Sequence, residues 1–219
     1  LKLKILGCRW QLFFTGGEVY FLQATGVILA GGKSTRMKFN KAFADIGGQL
    51  VIQIIINKFR EYFEEIIIIS NEPGLFMRFH LPVYSDIYPY LGPVGGIHSA
   101  LVNARYNKMF ILGCDMPFMD MKLVEYMLAS IQDHDTVVPE INSFLQPLAA
   151  VYNRKCLSVF SDCLRNNKLK LTRIFDDLDA LVIKEDELKR FGDLQEIFFN
   201  INDPEALTQA RTMAGRLLL

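Results

Sequence analysis

From Thr25 onward, short apolar runs alternate with longer stretches whose apolar residues recur at helical spacing. Gly26-Val27-Ile28-Leu29-Ala30 is the first run, a buried strand that breaks abruptly at Gly31-Gly32. Residues 42–46 predict a short strand ending at the Gly47-Gly48 turn, and residues 49–62 place Ile52, Ile55, Ile56 and Phe59 on one helical face. Four consecutive isoleucines follow within residues 65–70. The run is too short for a helix and β-branched, so it predicts a central strand buried on both faces. Further strands are predicted at 82–85, 109–112, 136–139 and 147–152, and helices at 95–105, 121–132 and 153–166. Leu157, Phe160 and Leu164 form the inner face of the last of these. Residues 203–217 close the chain as a helix, with Asp203 as N-cap and Pro204 at the first helical position.

Such alternation predicts an α/β chain, a three-layer α/β/α Rossmann-like fold with a mostly parallel sheet. The chain has 219 residues, enough for one domain, which we place at 25–219. Residues 1–24 mix Lys2, Lys4, Arg9 and Glu18 into an aromatic-rich string and are set apart as an extension. Ligands of open parallel sheets bind outside the carboxyl ends of the strands. Three polar constellations fall there: Gly31-Gly32, Ser70-Asn71 and Gly113-Cys114-Asp115.

Charge removes several function classes. Lys and Arg number 24, Asp and Glu 24, and no basic stripe exists, which argues against nucleic acid as a partner. No apolar stretch is long enough to cross a bilayer, which argues against a membrane. Cys8, Cys114, Cys156 and Cys163 contain no C-x-x-C pair and read as reduced thiols of a cytoplasmic protein. His80, His98 and His134 do not cluster at zinc spacing, and no Gly-x-Ser-x-Gly elbow offers a serine nucleophile.

The chemistry concentrates in Gly31-Gly32-Lys33-Ser34-Thr35-Arg36-Met37, with Lys41 just beyond. Glycine lets a phosphate approach the backbone, and Lys33, Arg36 and Lys41 offer cations for the same polyanion. The run is not a P-loop, because its glycines are adjacent and Lys33 follows at once. It is not a dinucleotide fingerprint either, because no third glycine follows Gly32. Asp115, at the end of an apolar strand, is placed to bind Mg²⁺, which takes one or two carboxylates plus substrate phosphates. Asp120 is better situated to cap the following helix. Asp86 precedes the glycine-rich Gly92-Pro93-Val94-Gly95-Gly96. Its carboxylate can accept from N1–H and N2–H₂ of guanine and would repel the acceptor edges of pyrimidines. Asn71 fits two roles, reading a base edge or ribose, and opening a turn before Glu72-Pro73-Gly74.

With Leu29-Ala30-Gly31-Gly32-Lys33-Ser34-Thr35-Arg36-Met37 and Lys41, the chain resembles the molybdenum cofactor guanylyltransferases. Three more motifs carry the likeness: Cys114-Asp115-Met116-Pro117-Phe118, Gln146-Pro147-Leu148-Ala149-Ala150-Val151-Tyr152, and Phe199-Asn200-Ile201-Asn202-Asp203-Pro204-Glu205. The first motif is shared with cytidylyltransferases and sugar-nucleotide pyrophosphorylases; the last two are more specific. The resemblance implies a nucleotidyltransferase fold and Mg²⁺-dependent transfer of GMP from GTP to Mo-molybdopterin, with release of pyrophosphate. It implies nucleotide contacts from Leu29, Ala30, Gly31, Gly32, Lys33, Lys41, Asn71, Asp86 and Asp115. Arg36, Lys41 and Asp115 would serve catalysis, Asp115 would hold the metal, and Asn200 and Asn202 would face the pterin. Transient contact with other cofactor-biosynthesis proteins is implied as well. The chain departs from the family at Lys38 and Asn40, where Gly and Asp are common, which removes a carboxylate next to Lys41. Two alternatives stay open: a cytidylyltransferase acting on molybdopterin or another phosphorylated acceptor, and a catalytically silent nucleotide-binding protein.

Overall fold

The computed structural model describes residues 21–31 and 40–217. Gly32, Lys33, Arg36 and Lys38, singled out above, lie outside the described residues.

The seven-membered path of the main sheet is built around β1 (Leu22–Leu29), which pairs in parallel with β4 (Phe63–Ile69) on one side and β6 (Lys108–Gly113) on the other. Beyond β4 lies β5 (Val83–Tyr84), also parallel. Beyond β6 come β9 (Ala149–Asn153), β7 (Thr136–Ile141) and β10 (Ala180–Ile183), giving the order β10-β7-β9-β6-β1-β4-β5. Only β9 runs against the others on this path; β8 (Phe144–Leu145) pairs off it, antiparallel to β7. The sheet is therefore mixed but mostly parallel.

Its two faces are dry, which is why the central strands read as unbroken apolar runs. Ile66 to Ile69 are each at most 6 % exposed. Alternate residues point to opposite layers, Ile66 and Ile68 into one core and Ile67 and Ile69 into the other. The first core is covered by α1 (Val51–Tyr62) and α3 (Met121–Ser130), with Ile52, Ile55, Ile56 and Phe59 of α1 all buried. The second is covered by α2 (Gly92–Asn103), α4 (Leu157–Arg165) and the short α5 (Leu171–Ile174). Burying an isoleucine of this kind stabilises by about 1.5–3 kcal/mol. Three layers result.

Two short helices, α6 (Glu185–Leu188) and α7 (Leu194–Ile197), extend the first layer. The closing helix α8 (Pro204–Leu217) packs with Ile46, Val51, Phe118 and Ile201 in a third cluster. Asp203 caps it as expected, its carboxylate accepting from Ala206 N–H at 2.8 Å. Asp120 likewise caps α3, accepting from Leu123 N–H at 3.0 Å, which leaves Asp115 free of that task.

Several boundaries differ from the sequence reading. β1 begins at Leu22, inside the segment set apart as 1–24. Residues 42–46 are not one strand. Asn40 accepts from Ala42 N–H and caps a 3₁₀ turn over Lys41–Phe43, leaving β2 (Asp45–Ile46) to form a hairpin with β3 (Gln49–Leu50). α2 starts three residues early, because Pro93 suits the first turn of a helix. β8, β10 and the short helices α5 to α7 went unpredicted.

Candidate functional site

β1 and β6 are neighbours whose chains leave in opposite directions, β1 toward β4 and β6 toward β7. A crevice opens at such a switch point, outside the carboxyl ends of the strands. The backbone at this end is tightly registered. Leu29 pairs with Ile69 and Gly113; Ala30 N–H donates to the Ile69 carbonyl at 2.9 Å, and Cys114 N–H to the Leu29 carbonyl at 3.0 Å. Leu29 and Ala30 are buried, so what they can present to a ligand is backbone. Gly31 is exposed, and a Cβ built there meets nothing within 4 Å. The described residues around it therefore give no packing reason for glycine at that position, whereas a phosphate lying against the backbone would.

Asp115 follows β6, and its position depends on Gly113. A Cβ on Gly113 would lie 2.9 Å from Asp115 Oδ1, so the carboxylate folds back over the strand end in space that only glycine leaves. Oδ2 stands 3.5 Å from Lys41 Nζ, with the two side chains 23 % and 18 % exposed. A pair this long and this accessible to water contributes little stability, about 0–1 kcal/mol. Lys41 makes its closer contact with Asn202, donating to Oδ1 at 2.7 Å. The 200–202 segment is tied to the same place by Ile201 N–H, which donates to the Asp115 carbonyl at 2.9 Å. The fold thus joins Lys41, Asp115 and Asn202 across 161 residues of chain. Cys114 beside Asp115 is half-buried, and desolvation pushes its thiol up to about 12, which removes it as a nucleophile.

Asn71 and Asp86 form a second unit, at the ends of β4 and β5. Asn71 Nδ2 donates to Asp86 Oδ2 at 2.8 Å, and Asp86 N–H donates to Asn71 Oδ1 at 3.1 Å. This reciprocal pair gives the Asn71 side chain a task that neither sequence expectation named: it orients the Asp86 carboxylate. Asp86 lies over the first turn of α2, where a Cβ on Gly95 or Gly96 would come within 3.8 Å of its oxygens. Gly95 could not become alanine without pressing on the Tyr88 carbonyl at 2.8 Å. Burial pushes the Asp86 carboxyl above the usual aspartate range, partly offset by the Asn71 bond. From β6 to β5 the order is β6-β1-β4-β5. At a strand spacing of about 4.8 Å, Asp115 and Asp86 therefore stand about 14 Å apart along the carboxyl edge of the sheet.

Asn200 donates its side-chain amide to the Phe198 carbonyl at 3.1 Å. It borders a cavity of about 570 Å³ whose walls include Asn142, Gln146, Gln195, Phe199 and Glu205. Asn202 N–H donates to the Asn200 carbonyl at 3.1 Å, so the two spaces share a wall. Among the described residues, no three His, Cys, Asp or Glu side chains gather as a metal cage. A lone carboxylate is nonetheless a donor set that Mg²⁺ accepts when phosphates complete the shell, and the loosely paired, partly exposed Asp115 fits it. No helix among the described residues is long and apolar enough to cross a membrane.

The structure brings Lys41 beside Asp115 and Asn71 beside Asp86, all four singled out from sequence, but sequence reasoning missed the supporting role of Gly113. It also missed the bond from Asn202 to Lys41. A glycine at a strand end is the one signal that could have drawn attention to position 113.

Residues 26–181 match the MobA-like NTP transferase domain. A protein of Pelotomaculum thermopropionicum named "Probable molybdenum cofactor guanylyltransferase" is 37 % identical over 193 residues, covering 88 % of this chain and 94 % of that protein. One of the same name from Clostridium perfringens is 39 % identical over 184 residues, covering 83 % and 92 %. Among solved structures, molybdopterin-guanine dinucleotide biosynthesis protein A of Archaeoglobus fulgidus superposes with a TM-score of 0.78. It is 20 % identical and covers 88 % of this chain and 99 % of its own, a likeness of fold.

Proposed function

The chain belongs to the MobA-like NTP transferase family, and from that premise we propose a molybdenum cofactor guanylyltransferase that moves GMP from GTP onto the terminal phosphate of Mo-molybdopterin. The observation that carries this reading is the placement of the Lys41–Asp115 pair and the Asn71–Asp86 pair at the two ends of the same carboxyl edge of the sheet. One end suits phosphates and the other suits guanine.

At the guanine end, Asp86 accepts from N1–H and N2–H₂ of the base while Asn71 holds the carboxylate in plane. Gly95 and Gly96 let Asp86 pack against the first turn of α2, which fixes the carboxylate that meets the base. A pyrimidine would turn acceptor atoms toward the same carboxylate and be repelled. At the phosphate end, the backbone of Leu29, Ala30 and Gly31 faces the triphosphate, and Gly32, Lys33 and Arg36 continue that contact. Lys41 lies beside the α-phosphate.

The reaction needs no nucleophile from the enzyme, because the acceptor is already an anionic phosphate oxygen. That oxygen attacks the α-phosphorus of GTP and forms the new P–O bond. The bond from the α-phosphorus to the oxygen bridging the β-phosphorus breaks, and this oxygen leaves with pyrophosphate. Lys41 offsets charge on the α-phosphoryl oxygens as they reorganise, and Arg36 and Lys33 offset charge on the departing pyrophosphate. Asp115 would hold Mg²⁺, which when bound supplies charge neutralisation between the two polyanions. The cavity beside Asn200, rich in amide side chains and bordered by Phe199, is the seat we assign to the pterin. Residues 1–24 stay outside the catalytic domain on this reading, apart from Leu22–Ala24 at the start of β1. Cytoplasmic location, with substrates supplied by other cofactor-biosynthesis proteins, fits the same role.

The test is pyrophosphate release with each nucleotide, with and without Mo-molybdopterin. The expected result is release from GTP that depends on the acceptor and on Mg²⁺, with little from CTP. Preference for CTP would overturn the assignment of Asp86. Nucleotide binding without release would favour the silent binding protein.

A further inference from the structure

Asn202 is closer to the catalytic lysine than any carboxylate in the described structure. Its Oδ1 accepts from Lys41 Nζ at 2.7 Å, against 3.5 Å from the same nitrogen to Asp115 Oδ2. The residues on either side of Asn202 are fixed independently. Ile201 is fully buried and its N–H is bound to the Asp115 carbonyl at 2.9 Å, while Asp203 is committed to capping α8. Asn202 therefore extends from a rigid base, although its own side chain is exposed.

Asn40, next to Lys41 in sequence, is directed elsewhere. Its side-chain oxygen is used within its own turn, accepting from Ala42 N–H at 3.1 Å. Among the described residues the hydrogen-bond partners of Lys41 Nζ are distant in sequence, and the shorter of the two contacts comes from the far end of the molecule.

We propose that Asn202 is a positioning residue for Lys41, rather than a contact for the acceptor. An amide oxygen is well suited to this. It accepts a hydrogen bond from the ammonium without neutralising it, so Lys41 keeps its charge for a phosphate. It also draws Nζ away from Asp115 Oδ2, so the carboxylate is not locked in a tight ion pair and can take a cation. A carboxylate at 202 would do the opposite, adding a charge-assisted bond that retains Lys41. The role assigned to Lys41 rests on the guanylyltransferase reading; the contact itself does not.

Two measurements separate the two claims. In steady-state GMP transfer, Asn202→Ala should lower kcat by about 10²-fold, the cost of losing the alignment of a catalytic group. The KM for Mo-molybdopterin should stay unchanged, and in a Lys41→Ala background the same substitution should cost almost nothing. A raised acceptor KM with intact kcat, or an equal loss in both backgrounds, would overturn the proposal.

The second measurement needs no activity: acetylation of folded protein by limiting acetic anhydride, read by mass spectrometry at each lysine. Lys41 should react more slowly than in the parent in Asn202→Ala, as Nζ closes on Asp115, and more slowly again in Asn202→Asp, with other lysines unchanged. Equal labelling of Lys41 in all three would overturn the proposal even if GMP transfer were normal. The expected labelling pattern in a protein that transfers no GMP would leave Asn202 as the anchor of Lys41 and sink the guanylyltransferase reading alone.

Discussion

Replacing Gly113 by alanine tests whether Asp115 is aimed by the strand end beneath it. The new Cβ would stand 2.9 Å from Asp115 Oδ1, about 0.5 Å short of the 3.4 Å at which ordinary contact begins. Its other neighbours, the Leu148 Cβ and carbonyl, lie at 3.8 and 3.9 Å and need not move. The clash falls on the end of a side chain, which can swing away cheaply. Gly113 also lies outside the left-handed region, so alanine brings no backbone strain. Folding stability should therefore hold, or rise by about 0.4–1 kcal/mol through the stiffer unfolded chain. Activity should not hold. Misplacement by 1 Å can cost about 10²-fold, so half that displacement is expected to cost about tenfold. The assay is the initial rate of GMP transfer across a Mg²⁺ titration, alongside thermal unfolding. The expected outcome is an unchanged Tm, a reduced rate and a higher Mg²⁺ requirement. Parental rate and Mg²⁺ dependence in a folded Gly113→Ala protein would refute the account of how Asp115 is placed.

Gly26→Ala should behave in the reverse manner, since its Cβ would lie 2.7 and 2.8 Å from the rings of Phe59 and Phe63, both at most 2 % exposed. Overpacking of this kind costs about 1–3 kcal/mol, and calorimetry should show Tm falling by about 2–4 °C per kcal/mol. Gly31→Ala should leave Tm untouched, because its Cβ meets nothing, yet weaken GTP binding measured by isothermal titration; equal affinity would remove the phosphate from that backbone. Lys41→Ala should lower the rate by about 10²–10³-fold, as for other lost transition-state donors, and a smaller loss in single-turnover assays would demote it. Guanine reading requires ionised Asp86, whose carboxyl is raised by burial above the ordinary 3.8 and lowered by Asn71. GTP affinity should hold above that pKa and disappear as pH falls through it. Asn71→Leu removes the lowering bond, so its acid limb should move to higher pH, and a shift to lower pH would contradict the assignment.

What could be read from the chain was what local chemistry dictates. The isoleucines of β4 declare a doubly buried strand, and Asp203-Pro204 declares a helix start, because each signal is complete within a few residues. β10 was missed because Ala180, Leu181 and Val182 are only half-buried at the sheet edge and sit among acidic residues. The direction of β9 could not be read, since an antiparallel strand between parallel ones shows the same apolar pattern when both faces are covered. Residues 42–43 were misread because Ala42 and Phe43 look like strand residues, while the Asn40 cap turns them into a 3₁₀ turn. At the site, Asp115, Lys41 and Asp86 were legible as charged residues following apolar strands. The partners that aim them were not. Nothing near Lys41 in sequence points to Asn202, and the pairing of Asn71 with Asp86 depends on β4 and β5 lying side by side.

The central claim is that the sheet edge between Asp86 and Asp115 transfers guanylate and no other nucleotide. Its most direct test is a single-turnover reaction of α-phosphate-labelled GTP with Mo-molybdopterin, followed by chromatography of the product. The expected result is label in a molybdopterin guanine dinucleotide, undiminished by excess unlabelled CTP. Label that stays in GTP, or product suppressed by CTP, would contradict it.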